Sequence, residues 1–299
     1  MKKLKIVIIV GPTSSGKSAL AVELARKFGG EIISADSRQV YKGLDIGTGK
    51  ITKREMKGVP HHMLDVASPK RTFTAADYVK LARAAYSNVL KNNRIAIVVG
   101  GTGFYIDALV GRIRLPDVPP NTKLRRSLER KSAEELFKLL QKRSPRRAKT
   151  IDHYNKRRLI RALEIAEDLC KTSMMEIRPP SFDILWIGLK VPRDKLERKI
   201  HVRLLARVKQ GLIAEGKHLH ASGLSYKRME SLGLEYRALA RYLQEKTGKS
   251  EMIEQLDSDI RHYAKRQMTY WKRNKDIKWF RPSQVSAIKH IVKKFLEKN

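Results

Sequence analysis

A junction between two short stretches restricts the fold more than any other part of the chain. The aliphatic run KIVIIV at residues 5–10 passes directly into GPTSSGKS at 11–18. An apolar run without alternation is how a strand covered on both faces reads, and such strands belong to parallel sheets flanked by helices. The second stretch fits the G-x-x-x-x-G-K-[ST] pattern of a phosphate loop, with a strand before it and a helix after it. Its residues are Gly11, Pro12, Thr13, Ser14, Ser15, Gly16, Lys17 and Ser18. The backbone N–H groups of Ser14 to Lys17 can wrap phosphate oxygens, and the following helix adds the positive end of its dipole. Lys17 supplies a point charge, Ser18 offers a hydroxyl suited to Mg²⁺, and Gly11 and Gly16 let the backbone turn tightly. The loop marks a polyphosphate site. By itself it does not separate a nucleotide- or ATP-binding protein from one that holds another diphosphate.

Behind the loop the apolar spacing keeps an α/β rhythm. Ala19, Leu20, Leu24, Ala25 and Phe28 share one helix face that ends at Gly29-Gly30, and Glu31 to Ala35 predicts a second strand. Thr72 to Leu90 carry Phe73, Ala76, Val79, Ala82, Tyr86 and Val89 at helical spacing. IAIVVGG, from Ile95 to Gly101, predicts a third buried strand. The expected fold class is therefore α/β, a P-loop NTPase-like parallel sheet flanked by helices.

The texture changes near Pro116 to Pro120. Between Lys123 and Arg161 the chain has 15 Lys and Arg against 4 Asp and Glu. Leu136, Leu139, Leu140, Leu159, Ile160, Leu163 and Ile165 are spaced as helices require, and DILWIGL at 183–189 then restores a strand. We expect a catalytic core of residues 1–118 and 181–299, interrupted by a basic helical insertion at 119–180. The C-terminal part of the core reads as helices. Leu196, Ile200, Leu204, Val208 and Leu212 step by four, and Asp259 to Lys272 turns Ile260, Tyr263, Ala264, Met268 and Trp271 inward.

Charge narrows the partners. With 64 Lys and Arg against 30 Asp and Glu, the formal net charge is +34, which favours a polyanion such as nucleic acid. Cys170 is the single cysteine, so an intramolecular disulfide and a multi-thiolate zinc cage are excluded. The apolar N-terminal run enters a phosphate loop instead of a cleavage site, and no apolar stretch reaches the ~20 residues of a membrane span. A cytoplasmic protein that does not engage membranes is expected.

The candidate chemistry sits at strand ends. In an open parallel sheet the carboxyl ends of neighbouring strands face one crevice. Asp36, directly after the second strand, can face the phosphate loop there as a general base, or it can simply cap a turn. The third strand ends in Gly100-Gly101-Thr102-Gly103 where a hydrolytic ATPase normally carries an acid. A small-molecule kinase remains compatible with that ending, and a non-catalytic RNA-binding protein with the charge. Adjacent His61 and His62 could suggest a metal pair, but neighbours rarely chelate one ion together and suit hydrogen-bonding or structural roles better. Tyr270, Trp271 and Trp279 suit core or interface packing more than base-stacking platforms.

Several stretches taken together resemble the tRNA dimethylallyltransferases, also called tRNA isopentenyltransferases. They are GPTSSGKS at 11–18, DSRQVYKGLDIGTGK at 36–50, VPHHMLDV at 59–66, GGTGFY at 100–105, RRLIRALEI at 157–165 and AKRQMTYWKR at 264–273. The resemblance implies transfer of a dimethylallyl group from dimethylallyl diphosphate to N6 of adenosine 37 in the anticodon stem-loop of tRNA. It implies Mg²⁺ as cofactor, tRNA and dimethylallyl diphosphate as partners, and a monomer. It further implies that Thr13 contacts the diphosphate, that Asp36 is the base for the attacking amine, and that Arg203, eight residues before Gly211, binds phosphate. Asp36, Ser37, Arg38 and Gln39 would grip the target adenosine, and Thr102 would border the RNA path. Lys123 and the run Arg157, Arg158, Leu159, Ile160 and Arg161 would lie against the tRNA. GTGK and GGTGFY depart conservatively from the usual GTAK and GGTGLY.

Overall fold

The computed structural model describes residues 4–116, 118–169 and 182–298, so Cys170 lies outside the described residues. Six strands form one sheet in the order β3-β2-β4-β1-β5-β6: β1 (Leu4–Val10), β2 (Gly30–Ser34), β3 (His61–His62), β4 (Ile95–Val99), β5 (Phe182–Leu189) and β6 (Lys278–Phe280). Every pairing in it is parallel. The aliphatic run of β1 is central because it pairs on both edges, with β4 and with β5. Ile6 to Val10 are fully buried, as the unbroken apolar pattern requires.

The helices are α1 (Lys17–Phe28), α2 (Lys53–Met56), α3 (Ala75–Lys91), α4 (Gly103–Leu109), α5 (Thr122–Glu129), α6 (Ala133–Arg143) and α7 (Pro145–Ala148). They continue with α8 (Lys156–Leu169), α9 (Arg193–Lys209), α10 (Leu212–Ala221), α11 (Tyr226–Leu232), α12 (Leu234–Leu243), α13 (Lys249–Trp271) and α14 (Val285–Glu297). The chain divides into two compact units, Met1–Ile113 with Pro180–Asn299, and Arg114–Pro179. In the first unit, α1 and α14 lay Leu20, Leu24, Ile288 and Val292 on one sheet face, against Val7, Ile9 and Ile187. On the other face α3 and α4 pack Tyr78, Ala82, Ile106 and Leu109 against Ile6, Ile8, Ile33 and Val98. Each fully buried Val, Leu or Ile among them contributes about 1.5–3 kcal/mol relative to exposure.

Capping chemistry sets where helices begin. The helix expected from Thr72 starts at Ala75, because Thr74 and Asp77 form a reciprocal capping box. The helix expected from Asp259 begins earlier, at Lys249, since Met252 and Leu256 extend the buried stripe of Ile260 and Ala264 by four-residue steps. Polar residues between those steps obscure the pattern in the sequence. β3 and β6 are two and three residues long and carry no readable periodicity.

The second unit is four helices around Leu128, Leu136, Leu140, Leu159 and Leu163. Its buried Glu164 carboxylate accepts two hydrogen bonds from Arg125, at 2.9 and 2.8 Å, and one from the Asn121 N–H at 2.6 Å. Arg161 also pairs with Glu164, and it donates to the Val118 carbonyl at 2.9 Å. A buried carboxylate is tolerated only with partners of this kind.

A further polar clamp fixes the segment that follows β2. Glu215 of α10 accepts the N–H groups of Asp45, Ile46 and Gly47 at 2.9, 2.6 and 2.9 Å, and the Tyr236 hydroxyl at 2.8 Å. The Arg207 guanidinium, itself paired with Glu235, donates to the Gly47 carbonyl at 2.6 Å. Glu215→Gln keeps the size but turns an NH₂ group toward N–H donors, which loses charge-assisted bonds. The amides of residues 45–47 should then exchange with deuterium about tenfold faster or more, while β1 stays protected, as read by hydrogen-exchange mass spectrometry. Unchanged exchange at 45–47 would mean that the segment is held by other contacts.

Candidate active site

The carboxyl ends of β1, β2 and β4 open into one cavity of about 290 Å³. Thr13 to Ser18 line one side, Asp36 and Gln39 another, and Gly100 and Gly101 a third, while Thr48, Gly49, Glu55, His61, Arg203, Tyr263 and Gln267 also line it. This is the crevice that parallel-sheet topology prepares, since each strand delivers its following residues to the same edge.

The phosphate loop takes its shape from three residues with positive φ, Gly11 at 142°, Ser14 at 59° and Gly16 at 92°. A Cβ on Gly11 would lie 2.6 Å from the Leu189 carbonyl oxygen, so only glycine lets the loop leave β1 beside the end of β5. Lys17 Nζ donates to the Pro12 carbonyl at 2.5 Å. Burial of its amino group pulls its pKa from 10.5 to about 7, partly offset by the nearby Asp36 carboxylate and reinforced by Arg203. Lys17, Asp36 and Arg203 therefore act on one another electrostatically within one cavity.

Asp36 holds a turn. Its Oδ1 accepts the N–H groups of Arg38 at 2.8 Å and Gln39 at 3.3 Å. Those bonds fix the carboxylate at the cavity wall, so the turn role and a place in the site coexist. The Thr102 hydroxyl accepts the Ser37 N–H at 3.0 Å, which ties Ser37, Arg38 and Gln39 to the segment after β4. Gln39 Nε2 donates to the carbonyls of Thr48 and Gly49 at 3.4 and 3.5 Å, and Arg203 Nη2 donates to the Gly49 carbonyl at 3.0 Å. Gly49 has φ 57°, and a Cβ there would come within 2.5 Å of Arg203 Nη2.

The glycines after β4 have a packing reason. A Cβ on Gly100 would lie 2.1 Å from the Ala35 carbonyl oxygen, one on Gly101 2.0 Å from Gln267 Nε2, and one on Gly103 2.2 Å from the Tyr270 ring. The position where an ATPase places its acid is thus pressed against β2 and α13, with no room for a side chain. Gln267 is the residue that sequence reasoning passed over. It sits in AKRQ, is buried, accepts the Thr13 N–H at 2.8 Å and donates to the Gly101 carbonyl at 3.2 Å. Tyr263, expected to turn inward, instead lines the cavity half-buried. Burial and the nearby Asp36 raise the pKa of its hydroxyl.

His61 and His62 have separate partners. His61 Nδ1 lies 2.8 Å from the Val59 carbonyl, and His62 Nε2 lies 2.7 Å from Glu31. Trp271 is buried in the core, as expected from its spacing.

The insertion residues divide by exposure. Lys123, Arg157 and Arg158 are exposed. Leu159 and Ile160, expected against RNA, are 0 % and 7 % exposed and pack in the core of the second unit, so their side chains present no surface to a ligand. They fall on the inner face of α8, whose outer face carries the preceding arginines. Arg161 is bound to Glu164 and Val118. Among the described residues Arg157 and Arg158 pair with neither Glu164 nor Glu167 of their helix: Glu164 serves Arg125 and Arg161, and Glu167 serves Arg143.

Comparison with known proteins agrees with this geometry. Residues 39–274 match the model of the family described as IPP transferase. A tRNA dimethylallyltransferase 2 of Treponema denticola is 43% identical over 278 residues, covering 89% of this chain and 91% of the relative. A tRNA dimethylallyltransferase 1 of Geotalea uraniireducens is 41% identical over 268 residues, covering 90% and 88%. The crystal structure of the full-length tRNA isopentenylpyrophosphate transferase of Bacillus halodurans superposes with a TM-score of 0.75 at 34% identity, covering 99% of this chain and 97% of that one. A eukaryotic dimethylallyltransferase caught acting on tRNA gives a TM-score of 0.79 at 25% identity, over 95% of this chain and 75% of that one. A phosphate loop facing a carboxylate across a glycine-walled cleft thus comes with sequence and structural similarity over nearly the whole length, and the chain belongs to the IPP transferase family.

Proposed function

We propose that this protein transfers the dimethylallyl group of dimethylallyl diphosphate to N6 of adenosine 37 in tRNA, releasing diphosphate and leaving N6-(dimethylallyl)adenosine. The observation that carries this reading is the cavity itself, where the phosphate loop and Asp36 share one space and the third wall is glycine instead of an acid. In this reading the loop N–H groups and Lys17 hold the diphosphate, Thr13 contacts it, and Arg203 reaches it from α9. Asp36, Ser37, Arg38 and Gln39 receive the adenosine, with Thr102 at the border of the RNA path.

The exocyclic amine of adenine is a weak nucleophile because its lone pair is delocalised into the ring. As the N–C bond forms and the C–O bond to diphosphate breaks, the nitrogen becomes acidic, and the Asp36 carboxylate takes its proton. Lys17, Arg203 and the loop N–H groups match the charge that develops on the leaving diphosphate. Ser18 is an exposed hard-oxygen donor at the start of α1, which suits Mg²⁺, an ion that keeps several waters and binds mainly through substrate phosphates. Bound there, Mg²⁺ would neutralise part of the diphosphate charge. Adenosine 37 must leave its stack to reach the cavity, which costs less from a loop than from a duplex. Lys123, Arg157 and Arg158 would hold backbone phosphates meanwhile, together with Arg126 and Arg130, which share a shallow groove along α5 with Lys123.

Incubating the protein with Mg²⁺ and unmodified tRNA, with either dimethylallyl diphosphate or ATP, tests the reading. Mass spectrometry of the digested tRNA should show the prenylated adenosine only with dimethylallyl diphosphate. Phosphoryl transfer from ATP to a small acceptor without prenylation would make this a kinase instead.

The lowered Lys17 pKa adds a pH dependence. Without donor, Lys17 titrates near pH 7, and a bound diphosphate raises that value by stabilising the ammonium. Above pH 7 binding must therefore take up a proton, so donor affinity should fall as pH rises. Calorimetry of dimethylallyl diphosphate binding at pH 8, in buffers of different ionisation enthalpy, should show uptake of close to one proton. Lys17→Arg, charged throughout, should abolish the uptake. A binding heat independent of buffer in the unmodified protein would show that Lys17 is already charged before the donor arrives.

A further inference from the structure

Tyr154, between α7 and α8 in the second unit, is 81 % exposed, more than any other large apolar side chain among the described residues. Scattered exposed aromatics are ordinary on protein surfaces. This one is anchored. Its N–H donates to Asp152 Oδ1 at 3.1 Å, and its ring centroid lies 4.0 Å from that of His153. The His153 ring in turn lies 5.5 Å from Phe137, which packs on the core of the unit. Three rings thus run from the core into solvent, and the outermost keeps most of its surface open. Directly after it, Asn155 Oδ1 accepts the Arg158 N–H at 3.2 Å and fixes the start of α8. Arg157 and Arg158 follow, both exposed and neither paired with a carboxylate among the described residues.

A held aromatic face beside unpaired guanidinium groups is the chemistry that receives a nucleobase together with its phosphates. We propose that Tyr154 is a stacking platform for an unpaired base of the RNA substrate, with Arg157 and Arg158 on the adjoining phosphates. This rests on the tRNA reading above and adds to it a contact of a different physical kind. A phosphate contact releases condensed counterions and weakens with salt. A neutral ring against a base releases none. Every base has a π-face, so the contact tolerates sequence and selects for a base free of its pair.

The two contributions separate by salt. Affinities for unmodified tRNA, measured by filter binding from low to high salt, should be about 5- to 150-fold weaker in Tyr154→Ala, with the slope of log affinity against log salt unchanged. Tyr154→Phe should bind like the unmodified protein, since the face and not the hydroxyl makes the contact. Neutralising Arg157 and Arg158 should instead lower the slope by about 1–2. A blunt RNA duplex without unpaired bases should bind Tyr154→Ala and the unmodified protein alike. An unchanged tRNA affinity in Tyr154→Ala would overturn the proposal. So would a changed salt slope, which would mean that the ring only positions the arginines, or an equal loss on the blunt duplex, which would place it against the backbone. If the unmodified protein neither binds nor prenylates tRNA, the functional reading itself fails and the platform falls with it. If it prenylates tRNA and Tyr154→Ala binds normally, only the platform fails.

Discussion

The bond from the Thr13 amide to Gln267 Oε1, 2.8 Å long, joins parts of the chain that are 254 residues apart. The same side chain donates to Gly101, so the phosphate loop, the segment after β4 and α13 are held as one wall. The cavity depends on that wall being thin. Gly100 presses on the backbone after β2, where a Cβ has no room, while Gly101 and Gly103 lie against the Gln267 and Tyr270 side chains, which a Cβ would displace. The glycines and the glutamine are therefore one device. They place the ends of β1, β2 and β4 at a common edge, with Asp36 at one side and Lys17 at the other.

That packing separates this site from a phosphate-loop ATPase. An ATPase manages a metal and a water with an acid after a strand beside its loop. Here that position is filled by close backbone contact, and the carboxylate sits after β2, across the cavity. A carboxylate so placed can accept a proton from an incoming amine while the loop holds a leaving diphosphate. The segment carrying Gln39, Thr48 and Gly49 is braced from beneath by Glu215 and by the Arg207–Glu235 pair, which keeps the acceptor side rigid. Rigid positioning matters because misplaced reacting groups lose rate steeply.

Much of this was legible in the residues. The unalternating β1 and the phosphate loop announced a parallel sheet, and Asp36 followed from the rule that strand ends share a crevice. What stayed hidden involves long-range polar contacts. Nothing local distinguishes Glu215 from any other helical glutamate, because its meaning comes from three backbone N–H groups 168 to 170 residues away. Gln267 lies in the AKRQ stretch, yet its role depends on α13 crossing the strand ends. Leu159 and Ile160 were misread for the opposite reason. The family resemblance carried over a contiguous run as RNA-facing, whereas helical periodicity sends those two inward and leaves Arg157 and Arg158 outside. Tyr154 has no periodic signature at all, and only exposure reveals it.

The proposed chemistry requires Asp36 to be the proton acceptor and not only a turn residue. Asp36→Asn tests it directly, because an asparagine oxygen can still accept the Arg38 and Gln39 N–H bonds while the amide is too weak a base. Single-turnover prenylation with saturating dimethylallyl diphosphate and tRNA should slow by about 10²–10⁴, with tRNA affinity preserved. A rate near that of the unmodified protein would leave Asp36 with its turn alone and assign the proton to another group.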